Sequence, residues 1–145
     1  MFKKIKILFI IISFFSYYSG ASAFENFYEK GKQKYNEKKL EEAKFLFQRS
    51  IVFDPKNSES YLFLAKIYNL EENEKEEEKN IKTAILLDPE NEEAVYMSIN
   101  IDLKKSNYEE VKKSLQIFIK ICKNLCKNEK KILDSLKNLD PKNET

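Results

Sequence analysis

The stretch SIVFDPKNSES, residues 50 to 60, returns as AILLDPENEEA at residues 84 to 94, with Pro89 placed 34 residues after Pro55. In both copies an apolar run ends in Asp-Pro. The residue before a proline is pushed out of the α region, so Asp54 and Asp88 each mark the end of a helix. Punctuation repeated at this interval points to a repeated unit, and units of this size are pieces that bury their apolar face only against a neighbour. A chain of 145 residues has room for about three such units and a closing element.

Between the marks the pattern is helical. Two glycines and three prolines leave few breakers, and straight charged side chains abound. FENFYEKGKQKYNEKK sets Phe24, Phe27, Gly31 and Tyr35 on one stripe, and LEEAKFLFQRSIVFD sets Leu40, Ala43, Phe47, Ser50 and Ile51 on another. After Pro55, Ser58 is placed to cap SESYLFLAKIYNLEE, whose inward residues are Tyr61, Leu64, Ala65 and Tyr68. Its partner EKEEEKNIKTAILLD carries Ile81, Ala84, Ile85 and Leu87.

These residues resemble the tetratricopeptide repeat, a 34-residue helix-turn-helix with bulky and small side chains at set places. Counting each repeat from its first residue, Phe27 and Tyr61 match the aromatic fourth place, and Gly31 and Ala65 the small eighth. Ala43 matches the small twentieth place, Phe47 and Ile81 the twenty-fourth, Ser50 and Ala84 the small twenty-seventh, and Pro55 and Pro89 the thirty-second. Leu64 and Tyr68 match the seventh and eleventh. Glu77 departs from the pattern at a small place, which predicts looser packing there or a solvated carboxylate. Lys30 and Lys34 stand where apolar residues are usual. Lys38 and Glu72 stand where a glycine usually turns the chain, at a cost of about 1 kcal/mol for a left-handed residue with a side chain.

A third, weaker unit follows. Val95, Ile99 and Leu103 share one stripe; Tyr108, Val111, Leu115, Phe118 and Ile119 share the next. Lys123 replaces the proline, and Phe118 is bulky for its place. Ile132, Leu133, Leu136 and Leu139 then form the apolar side of a capping helix. The expected architecture is all-α: a right-handed α-solenoid of about three helix-turn-helix repeats, at 24–57, 58–91 and 92–124, with a capping helix at 126–139 and a frayed tail at 141–145.

The first 23 residues follow another logic. MFKKIK is basic, ILFIIISFF is apolar, and SYYSGASA ends in Ala21 and Ala23 around Ser22. This is the layout of a cleaved bacterial-type signal peptide, with an uncleaved membrane anchor as the alternative. The expected location is therefore the periplasm or cell envelope, with Phe24 as the mature N-terminus. Cleavage removes Lys3, Lys4 and Lys6 from 26 basic residues, leaving 23 against 24 acidic ones and a net charge of −1. A near-neutral chain is a poor nucleic-acid binder, because binding needs surplus cations to neutralise phosphates. An acidic stretch at Glu71 to Glu93 and a Lys-rich one at Leu103 to Lys142 read as solvated helix faces, with a dipolar docking module as the competing reading.

The sequence holds two cysteines and no histidine. Cys122 and Cys126 bond only if the helix breaks between them, in which case the bond pins the cap; free thiols and redox or metal chemistry remain as alternatives. A structural zinc site lacks ligands. With no histidine base, no phosphate loop and no catalytic serine or cysteine context, no enzyme and no cofactor are implied.

Binding is left. In this family the first helix of each unit lines a concave groove, which here implicates Tyr28, Lys32, Tyr35 and Asn36, then Leu62, Lys66 and Asn69, then Tyr96, Asn100 and Leu103. Such a mix suits an extended peptide or a helix, and Lys32, Lys66 and Asn69 suit an acidic ligand. The Lys/Asn/Arg set with which some family members grip a C-terminal carboxylate is not reproduced. The leading expectation is an exported adaptor binding a protein partner. The others are a structural part of a membrane-associated assembly and an accessory subunit regulating an enzyme.

Overall fold

A computed structural model describes residues 22–139, and among them are seven α-helices, one 3-10 turn and no strand. The helices are α1 (Ser22–Asn36), α2 (Leu40–Phe53), α3 (Ser58–Leu70), α4 (Glu74–Leu87), α5 (Glu92–Lys104), α6 (Tyr108–Ile121) and α7 (Glu129–Leu139). The expected leader lies outside the described residues except for Ser22 and Ala23, which open α1. None of the described helices is long and apolar enough to cross a membrane. The chain divides into two compact units between Pro55 and Lys56.

The turns repeat as strictly as the prolines. Lys38, Glu72 and Ser106, each 34 residues after the last, are the described non-glycine residues with positive φ, at 61°, 56° and 58°. Around each, the chain closes the same way. Lys39, Asn73 and Asn107 donate their N–H to the carbonyls of Lys34, Tyr68 and Asp102 at 2.9–3.0 Å, and the left-handed residue donates to a carbonyl three back. This is a Schellman closure, which satisfies the orphan carbonyls of the outgoing helix. Helix starts are served by asparagine. Asn57, Asn73 and Asn91 accept from Ser60, Glu76 and Ala94 N–H at 2.8, 3.3 and 3.0 Å. The cap of α3 is thus Asn57 and not Ser58, which is already helical; a longer amide side chain one residue earlier reaches the free N–H. Asp54 and Asp88 end α2 and α4, as the prolines after them require.

In the first unit, α1 and α2 pack around Gly31, Ala43, Phe47 and Ser50, all buried. The Phe47 ring lies where a Cβ on Gly31 would meet it at 2.8 Å, so the absence of a side chain at 31 makes room for the ring. In the second unit, Leu62, Ala65, Ile81, Ala84, Ala94 and Ile101 form one core among α3, α4 and α5. Val95, Ile99, Val111, Leu115, Phe118, Ile132 and Leu136 form another among α5, α6 and α7. Phe118 is fully buried despite its bulk, its ring 5.9 Å from that of Tyr96. Ile119 and Leu133, expected on the inward stripes, are 45% and 38% exposed; each lies one residue past a buried neighbour and so turns away from the packed face.

Glu77 is neither solvated nor idle. It is 3% exposed and accepts from Asn69 Nδ2 at 2.9 Å, so a polar contact between α3 and α4 occupies the site of a small residue.

Cys122 and Cys126 are joined by a disulfide with their Cα atoms 5.2 Å apart. Helix α6 ends at Ile121, and the 3-10 turn Cys126–Asn128 leads into α7, so the helical break such a bond needs is present. The intervening loop closes over Glu92, in the first turn of α5. Its carboxylate accepts the N–H groups of Lys123 at 2.6 Å, Asn124 at 3.0 Å and Leu125 at 3.2 Å, and the Asn124 amide at 3.0 Å. These donors, Lys123 first, hold the Glu92 carboxyl down at about 2.

Candidate peptide-binding surface

The residues that the sequence points to divide sharply once placed. On α1, Tyr28 is half-buried with its ring 6.1 Å from that of Phe47, which fixes its inner edge. Lys32, one turn along, holds its ammonium 5.5 Å from the Tyr28 ring centroid. That is cation–π range, and Lys32 has no carboxylate partner among the described residues. The side-chain amide of Asn36, at the exposed end of the same helix, makes no hydrogen bond among the described residues. Tyr35 is half-buried beside it. Lys32 and Asn36 border an open hollow of about 730 Å³ with Glu29, Lys30, Gln33 and Glu37.

The far rim of that hollow is already neutralised. Glu37 accepts from Lys39 at 3.0 Å and from Gln33 Nε2 at 2.8 Å, with Lys34 at 3.5 Å. The Lys39 bond is the first cause and Gln33 the second of a carboxyl held at about 2. Lys34 is shared with Glu42 at 3.0 Å, and the bond to Glu42 raises its pKa. Lys32 is thus a positive charge on an aromatic seat without an ion pair among the described residues, and Lys30 and Glu29 share the rim of the hollow with it.

The second unit uses most of its expected contact residues for itself. Leu62 is 2% exposed in the core, not on a groove wall, because its side chain points between α4 and α5. Tyr96 and Leu103 pack on the α5–α7 core and offer only their outer edges. Lys66 lies 4.8 Å from the Phe63 ring centroid but is bridged to Glu93 of α5 at 2.7 Å. Asn69 is exposed, yet its amide serves Glu77. An acidic ligand held by Lys66 and Asn69 is thus opposed by carboxylates already in place. Asn100, half-buried on α5, is the expected polar contact here whose side chain makes no hydrogen bond among the described residues.

Sequence reasoning missed Phe63, Glu59 and Glu93, which organise this face. Glu59 accepts from Asn91 Nδ2 at 2.7 Å, tying α3 to the start of α5. The spacing of Phe63 and Lys66 was a local signal for their contact; Glu93 is visible only once α3 and α5 lie side by side. The repeat-packing residues Gly31, Ala43, Phe47, Ala65, Ile81 and Ala84 are all buried, while Phe27 and Tyr61 are half-buried. Phe27 stacks on Phe53 at 5.3 Å with the rings 4° from parallel.

No protein-family model and no curated protein matches this sequence. Solved structures do. The first TPR of Spaghetti (RPAP3), bound to the HSP90 peptide SRMEEVD, is 21% identical, with 78% of this chain and 92% of that one covered at a TM-score of 0.66. The Yersinia enterocolitica type III secretion chaperone SycD, in complex with a peptide of the translocator YopD, is 17% identical over 86% of this chain and 98% of that one, at 0.71. The TPR2B domain of yeast Sti1, in a complex with pHsp70, is 13% identical over 81% and 98%, at 0.71. With seven helices among the described residues, turns that recur every 34 residues and this agreement in shape, the chain has the tetratricopeptide-repeat fold, an all-helical solenoid architecture.

Proposed function

We propose that this chain is an exported, non-catalytic protein-interaction module that takes a peptide or helix of an envelope or secreted partner on the exposed face of α1. The observation that carries the reading is Lys32, poised over Tyr28 without a carboxylate and flanked by the unbonded amide of Asn36. A partner segment with an acidic side chain beside an apolar one satisfies both groups, the carboxylate at Lys32 and a backbone carbonyl or N–H at Asn36. Three proteins of the same fold were solved with peptide or protein ligands, which supports the class of ligand.

Photo-crosslinking in the native cell tests the site. A crosslinker at Asn36 is expected to capture a discrete partner through one short segment, and one at Leu86, which is 80% exposed on α4, is not. Equal labelling from both positions would remove the assignment. Export is tested separately by the N-terminal sequence of the envelope form. A start at Phe24 supports release of the leader; an intact Met1 on membranes supports the tethered assembly component instead.

A further inference from the structure

We propose that α2 carries a self-association surface, on which two copies of this chain pair antiparallel along Glu41, Phe45 and Arg49. These residues are spaced by four, so they form one line along the helix. Phe45 is 58% exposed, and Val52, further along the same side, is 72% exposed. Large apolar side chains left in water in this way mark a contact surface when they are contiguous.

The charges select the occupant. Arg49 is the sole arginine of the chain, and its guanidinium lies over the rings of Phe27, Phe53 and Phe45 at 5.2, 5.5 and 6.0 Å. It forms no ion pair among the described residues. Glu41 has an 82% exposed side chain and, among the described residues, pairs with Lys44 alone, at 3.3 Å and three residues on, a surface pair of little strength. A two-fold axis at Phe45 brings Glu41 of each copy to Arg49 of the other, because one precedes and the other follows the axis by four residues. Parallel pairing instead sets Glu41 on Glu41 and Arg49 on Arg49. The stripe is therefore self-complementary in one orientation, the isologous one.

A cleft of about 570 Å³ opens next to Phe45, walled by Leu46 and the stems of Lys30 and Lys34, with the Lys34–Glu42 pair at its edge. With the axis at Phe45, the two Phe45 rings meet each other, each beside the cleft it helps to wall. Glu41 on this stripe, with Glu42 beside it, disfavours an anionic membrane surface as the occupant. A single-helix patch is small for an interface, so the dimer is expected to be micromolar.

Sedimentation equilibrium of the full chain over a range of micromolar concentrations tests this. The mass is expected to rise from one chain to two. Arg49→Glu and Glu41→Arg are each expected to weaken the association about tenfold, and the two together to restore it to within about threefold of the original. Both residues are exposed, and far-UV circular dichroism confirms folding; if one variant fails to fold, the other single reversal and Phe45→Glu carry the comparison. A chain that stays monomeric throughout overturns the proposal. So does a dimer indifferent to both reversals, or a patch that binds only a different protein.

Discussion

At the scale of single residues, the fold turns on which positions lack a side chain. Gly31 sits inside a helix, where replacing glycine by alanine ordinarily stabilises by about 0.5–1 kcal/mol. Here the added methyl would lie 2.8–2.9 Å from two atoms of the buried Phe47 ring, which has nowhere to retreat. Gly31→Ala is therefore expected to destabilise the chain by about 1–3 kcal/mol, read from the urea midpoint; a rise in stability would show that the ring moves freely. Such small places were legible in the sequence because they recur with the period. The polar contacts were not. Lys66 and Asn69 look free when one helix is read alone, and their partners Glu93 and Glu77 come from other helices. Leu62 was misplaced for the same reason: whether a leucine faces a groove or a neighbour depends on where α4 and α5 lie.

Helices and turns form the next scale, and there the third unit is informative. The turns at Lys38 and Glu72 were visible as missing glycines, and Ser106 completes the series without any residue type to announce it. The end of α6 lacks proline, and a different device closes it. The disulfide and Glu92 hold the loop Lys123 to Leu125 from two sides. The Glu92 carboxyl, at about 2, lies below its ordinary value of 4.5 in the folded chain, so its stabilising effect is complete above that ordinary value and disappears as the pH falls from there toward 2. Glu92→Gln is expected to lose about 1–3 kcal/mol at neutral pH and to flatten the acid limb of the stability curve; an unchanged acid limb would show that other carboxylates set it. Reduction of the disulfide opens a short loop, so the loss is expected to be no more than about 2 kcal/mol. Hydrogen exchange should then quicken at residues 123–128 and stay unchanged in α3. Loss of protection throughout α3 would mean that the bond holds far more than the last helix.

For the molecule as a whole, the architecture was legible because periodicity, small residues and Asp-Pro breaks agree with one another, and each alone is weak. Part of the charge runs is paired at the surface: Glu78 meets both Lys82, at 2.8 Å, and Lys105, and the bond to Lys105 is the main cause of its lowered pKa. The candidate contact surface was legible only as a set of helices, because a repeat spends most of its side chains on its neighbours. Among the described residues left unspent on α1 are Lys32 over Tyr28 and, beyond it, Asn36. The most direct measurement is the affinity of the crosslinked partner segment, by titration calorimetry, for the unaltered chain, Lys32→Glu and Lys66→Glu. The account predicts that Lys32→Glu weakens binding at least about tenfold and Lys66→Glu, whose charge is already matched by Glu93, less than about threefold. Equal affinities for all three, or a loss confined to Lys66→Glu, would contradict it.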